Sequence, residues 1–232
     1  PDLSIVIATY NEAAYLERNV AAIRAVLDQT RYTYELLFID DLSQDDTARI
    51  VRHLQSLHPE TTRAFFHSRN LGRGATVSEG ITAAAGRYVG FLDIDLEISA
   101  GYIPAMILAL EQGHDVATAW RISKLDVRRF HRLVLSHGYR RLSRWMLGHS
   151  LIDTEAGFKF FHTERILPVL ARLQNTGWFW DTEIMLESQA AGLRIIEIPC
   201  VFRHRRDSVS TVRLTSDVWH YLVQLVEYRR RR

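Results

Sequence analysis

Tyr88-Val89-Gly90-Phe91-Leu92-Asp93-Ile94-Asp95 is the stretch of this 232-residue chain on which the fold turns. Its first five residues form an apolar run with no polar alternation, as expected of a strand covered on both faces, and the run stops at two carboxylates. Alternate side chains of extended backbone point the same way, so Asp93 and Asp95 project together while Ile94 turns to the core. The same plan recurs upstream. Leu3-Ser4-Ile5-Val6-Ile7 leads into Thr9-Tyr10-Asn11-Glu12, and a second apolar run at residues 35–39 closes on Asp40-Asp41. Helical spacing follows each, through Leu16, Val20, Ile23 and Leu27, then through Ile50, Leu54 and Leu57. A weaker strand at residues 64–66 precedes the turn Asn70-Leu71-Gly72-Arg73-Gly74 and a helix through Val77, Ile81 and Ala84.

Strands alternating with helices predict an α/β fold, Rossmann-like, with a mostly parallel sheet, helices on both faces and ligands at the carboxyl ends of the strands. Asp40, Asp41, Asp93 and Asp95 all fall at such ends. Beyond them the spacing predicts a helix at residues 104–112 and a strand at 116–119. A helix carrying Leu135, Tyr139, Leu142 and Met146 on one face follows, then strands at 158–161 and 195–201, and a last helix from about Ser216. With 47% hydrophobic and 24% charged residues the composition excludes intrinsic disorder, and the length suits one domain, residues 1–232.

Cys200 is the single cysteine, which excludes an intrachain disulfide and a cysteine-cluster zinc site. No apolar run approaches the roughly 20 residues of a membrane span, and the first residues lack a secretory pattern, so the chain as given reads as soluble. The net charge is only +2, but Arg128, Arg129, Arg132, Arg140, Arg141 and Arg144 fall together, as do Arg203, Arg205, Arg206 and Arg213. Such stretches suit phosphates or anionic lipid.

Two carboxylates with no nearby Cys or His cluster suit Mg2+ or Mn2+, ions that complete their shell with phosphate oxygens and water, so the implied ligand is a diphosphate. A D-x-D pair also occurs as solvated aspartates at a strand exit, and Asp40 and Asp41 can equally cap a turn. The chain has neither G-x-G-x-x-G nor a Walker loop, which weakens hydride-transfer and ATPase readings. A nucleic-acid role for the basic stretches is set against the acidic pairs, which repel a polyanion.

Ile7-Ala8-Thr9-Tyr10-Asn11-Glu12, Asp40-Asp41-Leu42-Ser43-Gln44-Asp45-Asp46-Thr47 and Asp93-Ile94-Asp95-Leu96 resemble, in order, signatures of the family-2 inverting glycosyltransferases with the GT-A fold. The turn at Asn70, together with Asp153-Thr154-Glu155-Ala156-Gly157-Phe158-Lys159 and Phe179-Trp180-Asp181-Thr182-Glu183, is similar to the polyprenyl-phosphate branch, the dolichol-phosphate mannose and glucose synthases. The resemblance implies that Ala8, Tyr10 and Glu12 border the nucleoside and that Asp40 or Asp41 reads the base. It also implies that Asp93 and Asp95 hold metal and diphosphate with Glu97 close by, and that Arg121 and Arg132 meet phosphate. Three positions depart from the pattern: Ala8 replaces a proline, Leu42 a glycine, and Arg206-Asp207-Ser208-Val209 a lysine-bearing segment. The last leaves Arg205 or Arg206 as phosphate partners.

The implied reaction moves a hexosyl group with inversion from a GDP- or UDP-hexose to a polyprenyl phosphate, on a chain peripheral to the cytoplasmic face of a membrane. Residues 1–120 would bind the nucleotide sugar and residues 121–232 the acceptor. Asp181 is the candidate catalytic carboxylate beside Asp95. With an alcohol acceptor Asp181 would be a general base, whereas a phosphate acceptor is already anionic and would need Asp181 only for orientation. The alternatives are a sugar hydroxyl or small soluble acceptor, and a nucleotide-sugar-binding module without turnover. Residues 128–146 fit either a helix in the membrane interface or one packed on the sheet with solvated arginines.

Overall fold

The computed structural model describes residues 1–122, 144, 148, 150–203 and 214–231. Strand β1 (Leu3–Thr9), helix α1 (Leu16–Leu27), β2 (Tyr34–Asp40), α2 (Thr47–Leu57), β3 (Thr62–Phe66), α3 (Arg73–Ala83) and β4 (Tyr88–Leu92) alternate without interruption. There follow α4 (Ile103–Glu111), β5 (Val116–Ile122), β6 (Phe158–His162), α5 (Thr163–Leu170), α6 (Trp180–Ala190), β7 (Ile195–Val201) and α7 (Leu214–Arg231). The seven strands form one sheet in the order β3-β2-β1-β4-β6-β5-β7. β1 pairs in parallel with β2 and β4, β2 with β3, and β5 with β7, while β6 runs antiparallel between β4 and β5. The sheet is therefore mostly parallel, as its apolar runs demand.

Period-two alternation divides the strands between two cores. Leu3, Ile5, Ile7, Leu36 and Phe38 face a layer holding Leu16, Val20, Ile23, Val51, Leu54, Met106 and Ile107. Val6, Leu37, Ile39, Val89 and Phe91 face the other, with Val77, Ile81, Ile166, Trp180 and Ile184. Helices thus cover both faces. A smaller cluster of Phe179, Leu186, Leu225 and Tyr228 seats α7 on α6.

The central strands β1, β2 and β4 each run into a residue with left-handed backbone, Asn11 at φ 60°, Leu42 at φ 64° and Leu96 at φ 54°. That region is uncommon for side chains other than Asn, Asp and Gly, and a single residue held there stores about 1–3 kcal/mol of strain. The strain is concentrated at one end of the sheet, where the acidic strand exits converge.

Candidate functional site

At the exit of β4 the Asp93 amide donates to the Gly157 carbonyl at 2.9 Å, which ties the first carboxylate to the loop before β6. The second carboxylate turns back on its own loop, where Asp95 Oδ1 accepts from the Glu97 amide at 3.1 Å. Ile94 between them is buried, and its carbonyl accepts from Asn19 Nδ2 at 2.7 Å. Ile94 is thus in the core as expected, but the two carboxylates flank a turn, closed by the Leu96 amide on the Asp93 carbonyl at 3.1 Å, rather than extended backbone. A Cβ at Gly157 would overlap the Asp93 carboxylate. Gly157→Ala should accordingly leave most of the fold intact and lower turnover by roughly 100-fold, since about 1 Å of misplacement at a reacting centre costs that much. An equal loss of folding stability and activity, seen by comparing unfolding midpoints with initial rates, would refute this reading.

Glu12 faces the same acidic group. Burial raises its carboxyl to about 7, and the charges of Asp95, Asp93 and Asp45 add to the rise against a hydrogen bond from Tyr15. A field that holds a proton on Glu12 is one that a divalent cation would relieve, so the donor set fits a small hard ion. Among the described residues no three acidic, histidine or cysteine side chains form a metal cage. Glu97, expected beside the pair, follows it on the same loop, with its amide on Asp95. A site of this kind leaves the remaining coordination positions to phosphate and water. Ala8 is partly buried and Tyr10 is 50% exposed at the exit of β1.

Sequence reasoning passed over Arg73, which joins the two halves of the site. Its guanidinium donates to Asp93 Oδ1 at 2.5 Å and to Asp181 Oδ2, and lies 5.5 Å from the Phe91 ring and 5.4 Å from the ring of Trp178, itself 63% exposed. The other Asp181 oxygen accepts from Lys159 Nζ at 2.8 Å, and Lys159 is fully buried. Burial lowers the Lys159 ammonium below its ordinary value despite the pull of Asp181. For Arg73 the Asp181 and Asp93 charges more than reverse the effect of burial and raise its affinity for the proton. Two signals were legible: an arginine between two glycines in the turn at residues 70–74, and a lysine inside the aromatic strand Phe158-Lys159-Phe160-Phe161, which has to meet a counter-charge. Gly72, at φ 91°, and Gly74 let this turn press against the backbone of Thr176, whose carbonyl accepts from the Gly74 amide at 2.8 Å.

Asp40 and Asp41 are both buried and largely engaged within the protein. Asp40 Oδ1 accepts from Thr9 Oγ1 and Ser43 Oγ, and its Oδ2 from the Ser43 amide. Asp41 Oδ1 accepts from the Leu71 amide and contacts His67 Nδ1 at 2.8 Å, while its Oδ2 accepts from the Gly72 amide. His67 Nε2 meets Glu79 on α3 at 2.8 Å. Burial opposes protonation of His67, but hydrogen bonds to Asp41 and Glu79 prevail and raise it above 6.5. A group so shifted stabilises the fold fully below about pH 6.5, and the contribution fades as pH rises through the folded value. His67→Gln should lose about 1.5–3 kcal/mol at pH 6, with the deficit shrinking toward pH 9. A pH-independent deficit in chemical denaturation would refute the charge on His67.

Arg121, expected to meet phosphate, is committed to Asp153 through two contacts at 2.8 and 2.9 Å and to Glu155 at 3.2 Å. A phosphate would have to compete with both carboxylates. Arg132, Arg205 and Arg206, and the expected helix at 128–146, lie outside the described residues. Among the described residues no helix is long and apolar enough to cross a membrane. Phe179 and Trp180 are buried in the core, and Trp178 is exposed beside Arg73.

The mostly parallel, doubly covered sheet is that of a GT-A glycosyltransferase fold, as comparison with solved structures shows. The same fold occurs in glucosyl-3-phosphoglycerate synthase from Mycobacterium tuberculosis, solved with Mn2+, uridine diphosphate and glucosyl-3-phosphoglycerate. That structure aligns over 98% of this chain and 79% of its own, with a TM-score of 0.72 at 18% identity. The sequence model of Glycosyl transferase family 2 matches residues 4–167, and the chain belongs to that family. It is 28% identical over 212 residues to glycosyltransferase AglD of Haloferax volcanii, covering 89% of this chain and 34% of that protein. It is 27% identical over 218 residues to a dolichyl-phosphate beta-glucosyltransferase of Saccharomyces cerevisiae, covering 85% of this chain and 65% of that protein. The chain therefore spans less than two thirds of the length of these relatives.

Proposed function

We propose that this chain transfers a hexosyl group, with inversion, from a nucleoside diphosphate sugar to a polyprenyl phosphate at the cytoplasmic surface of a membrane. Residues 1–120 form its donor half and residues 121–232 its acceptor half. The observation that carries the reading is the Asp93 and Asp95 pair at the exit of β4, set beside Arg73 in a member of this family. Similarity to the yeast dolichyl-phosphate beta-glucosyltransferase supports a lipid phosphate as acceptor. Asp93 and Asp95 would hold Mg2+ or Mn2+, which supplies positive charge to the departing diphosphate.

The remaining work falls to the chain's own groups. Tyr10 and the turn after β2 receive the nucleoside. Arg73, held between Asp181 and Asp93, brings a fixed positive charge to anionic oxygens near Asp93, which would compete with that carboxylate for its guanidinium. Both oxygens of Asp181 face cations, so we assign it to positioning Arg73 rather than to taking a proton. A phosphate acceptor fits a site whose carboxylate is engaged in this way, because it arrives already ionised.

The test is a transfer assay with UDP- and GDP-hexoses against polyprenyl phosphate and against soluble alcohols and sugars. Product on the lipid phosphate, with a rate that holds at mildly acid pH, is the expected result. Turnover on soluble hydroxyl acceptors alone would replace this acceptor. Nucleotide binding without turnover on either class would make the chain a nucleotide-sugar-binding module.

A further inference from the structure

Helix α3 begins at Arg73, and the Gly72 that precedes it supplies no side chain to cap the first amides. The acceptor comes from a distant loop: the Thr176 carbonyl takes the Gly74 amide at 2.8 Å and the Ala75 amide at 3.2 Å. Thr176 is exposed between α5 and α6, so burial of its own side chain does not fix that carbonyl. Glu183 fixes it instead. This residue of α6 is 2% exposed, and its Oε2 accepts from the Gln174 amide at 3.2 Å and the Asn175 amide at 2.8 Å. Asn175 Oδ1 in turn accepts from the Gly177 amide at 3.1 Å, so Thr176 is bracketed on both sides. From α7, Arg231 lies 3.8 Å from Glu183 Oε1 and donates to Gln174 Oε1.

A buried charge is costly unless it is paired and hydrogen-bonded, and hydrogen bonds to an ionised group are roughly twice as strong as neutral ones. A carboxylate at position 183 therefore holds the loop more firmly than a neutral side chain would. The same loop meets Arg73 twice. Its Thr176 carbonyl grips the turn of backbone that Arg73 opens, and its Trp178 ring lies 5.4 Å from the Arg73 guanidinium. We infer that Glu183 is a positioning residue, which through the loop at residues 174–178 sets the aim of Arg73 toward Asp93. The inference depends on the part given to Arg73 in the proposed function.

A double-mutant cycle of Glu183→Leu with Arg73→Met tests it, using a radiolabelled UDP- or GDP-hexose and the acceptor that wild type uses, with the unfolding midpoint of every variant alongside. Glu183→Leu should lower kcat about 100-fold and leave KM for the donor within about 3-fold. In the Arg73→Met background the same change should cost less than about 3-fold more, because the group it aims is gone. Glu183→Gln, whose amide oxygen still accepts from the Gln174 and Asn175 amides, should return kcat to within about 5-fold of wild type. Asn175→Ala frees the Gly177 amide without stranding a buried charge, and so carries the same test if Glu183→Leu does not fold. It should lower kcat about 10-fold, again only while Arg73 is present. Losses that multiply in the double variants would assign Glu183 to folding alone and overturn the inference while leaving the proposed function standing. Undiminished kcat in folded Glu183→Leu or Asn175→Ala would overturn it equally. Wild type without turnover on any donor and acceptor would remove the proposed function and this inference with it.

Discussion

Asp181→Asn will lower folding stability by about 3–5 kcal/mol, because it removes one partner of a buried ion pair and strands the other. Lys159 is fully buried and donates at 2.8 Å to the carboxylate that the substitution removes, and Arg73 would lose the same partner. For a chain of this size such a deficit corresponds to a fall of roughly 10 °C in the unfolding midpoint. The loss has a sign in pH. Burial already lowers the Lys159 ammonium, and without Asp181 the neutral amine is the better tolerated form. The deficit should therefore shrink as alkaline pH strips the proton. The double variant Lys159→Met, Asp181→Leu should recover most of the stability while leaving Arg73 attached to Asp93 alone. If Asp181→Asn were as stable as wild type, the buried pair would be refuted. If the double variant were stable and fully active, Asp181 would have no part in positioning Arg73. A rate measured on Asp181→Asn by itself would confound an unfolded fraction with impaired chemistry.

Asp95→Asn will reduce turnover roughly 1,000-fold with little change in the unfolding midpoint. Asp95 Oδ1 accepts from a loop amide, a bond that an amide oxygen can still accept, so the fold asks less of its charge than the proposed cation would. Affinity for Mn2+ in the presence of nucleoside diphosphate, read from the free ion by electron paramagnetic resonance, should fall in parallel. Asp93→Asn should act differently, because it also releases one arm of Arg73. Undiminished Mn2+ affinity in Asp95→Asn would take Asp95 out of the site.

The first 120 residues were legible because their signals are local. Buried runs such as residues 35–39, followed by stripes such as Leu16, Val20, Ile23 and Leu27, fix strand and helix by period alone, and the structure matches them. Asp93 and Asp95 were picked out in the same local way, as the residues that close one apolar run, although they sit on a turn rather than on the strand. Helix α6 escaped this reasoning, since Asp181, Thr182, Glu183 and Ser188 are buried with its apolar residues and no amphipathic stripe remains. Helix α5 carries Pro168 inside it, which reads as a stop signal. Arg73, Lys159 and His67 were missed for a tertiary reason. Each is defined by a partner distant in sequence, Asp181, Asp93 or Asp41, and spacing cannot show which charges meet. Arg121, expected beyond a strand at 116–119, lies within β5, which runs on to Ile122, and its commitment to Asp153 and Glu155 was invisible for the same cause.

The position of β6 sets an order of events during synthesis. β4 carries the acidic pair into place early, but its second neighbour in the sheet is an antiparallel strand that the ribosome delivers only after β5. Until residues 158–162 arrive, β4 has an open edge of unsatisfied backbone groups, a template for wrong partners and a natural target for chaperones. The glycine that leaves room for the Asp93 carboxylate and the lysine that neutralises Asp181 arrive with that same strand. A nascent chain therefore carries its acidic signature well before it can orient it, and the orientation waits further for Asp181, delivered after the strand that covers β4.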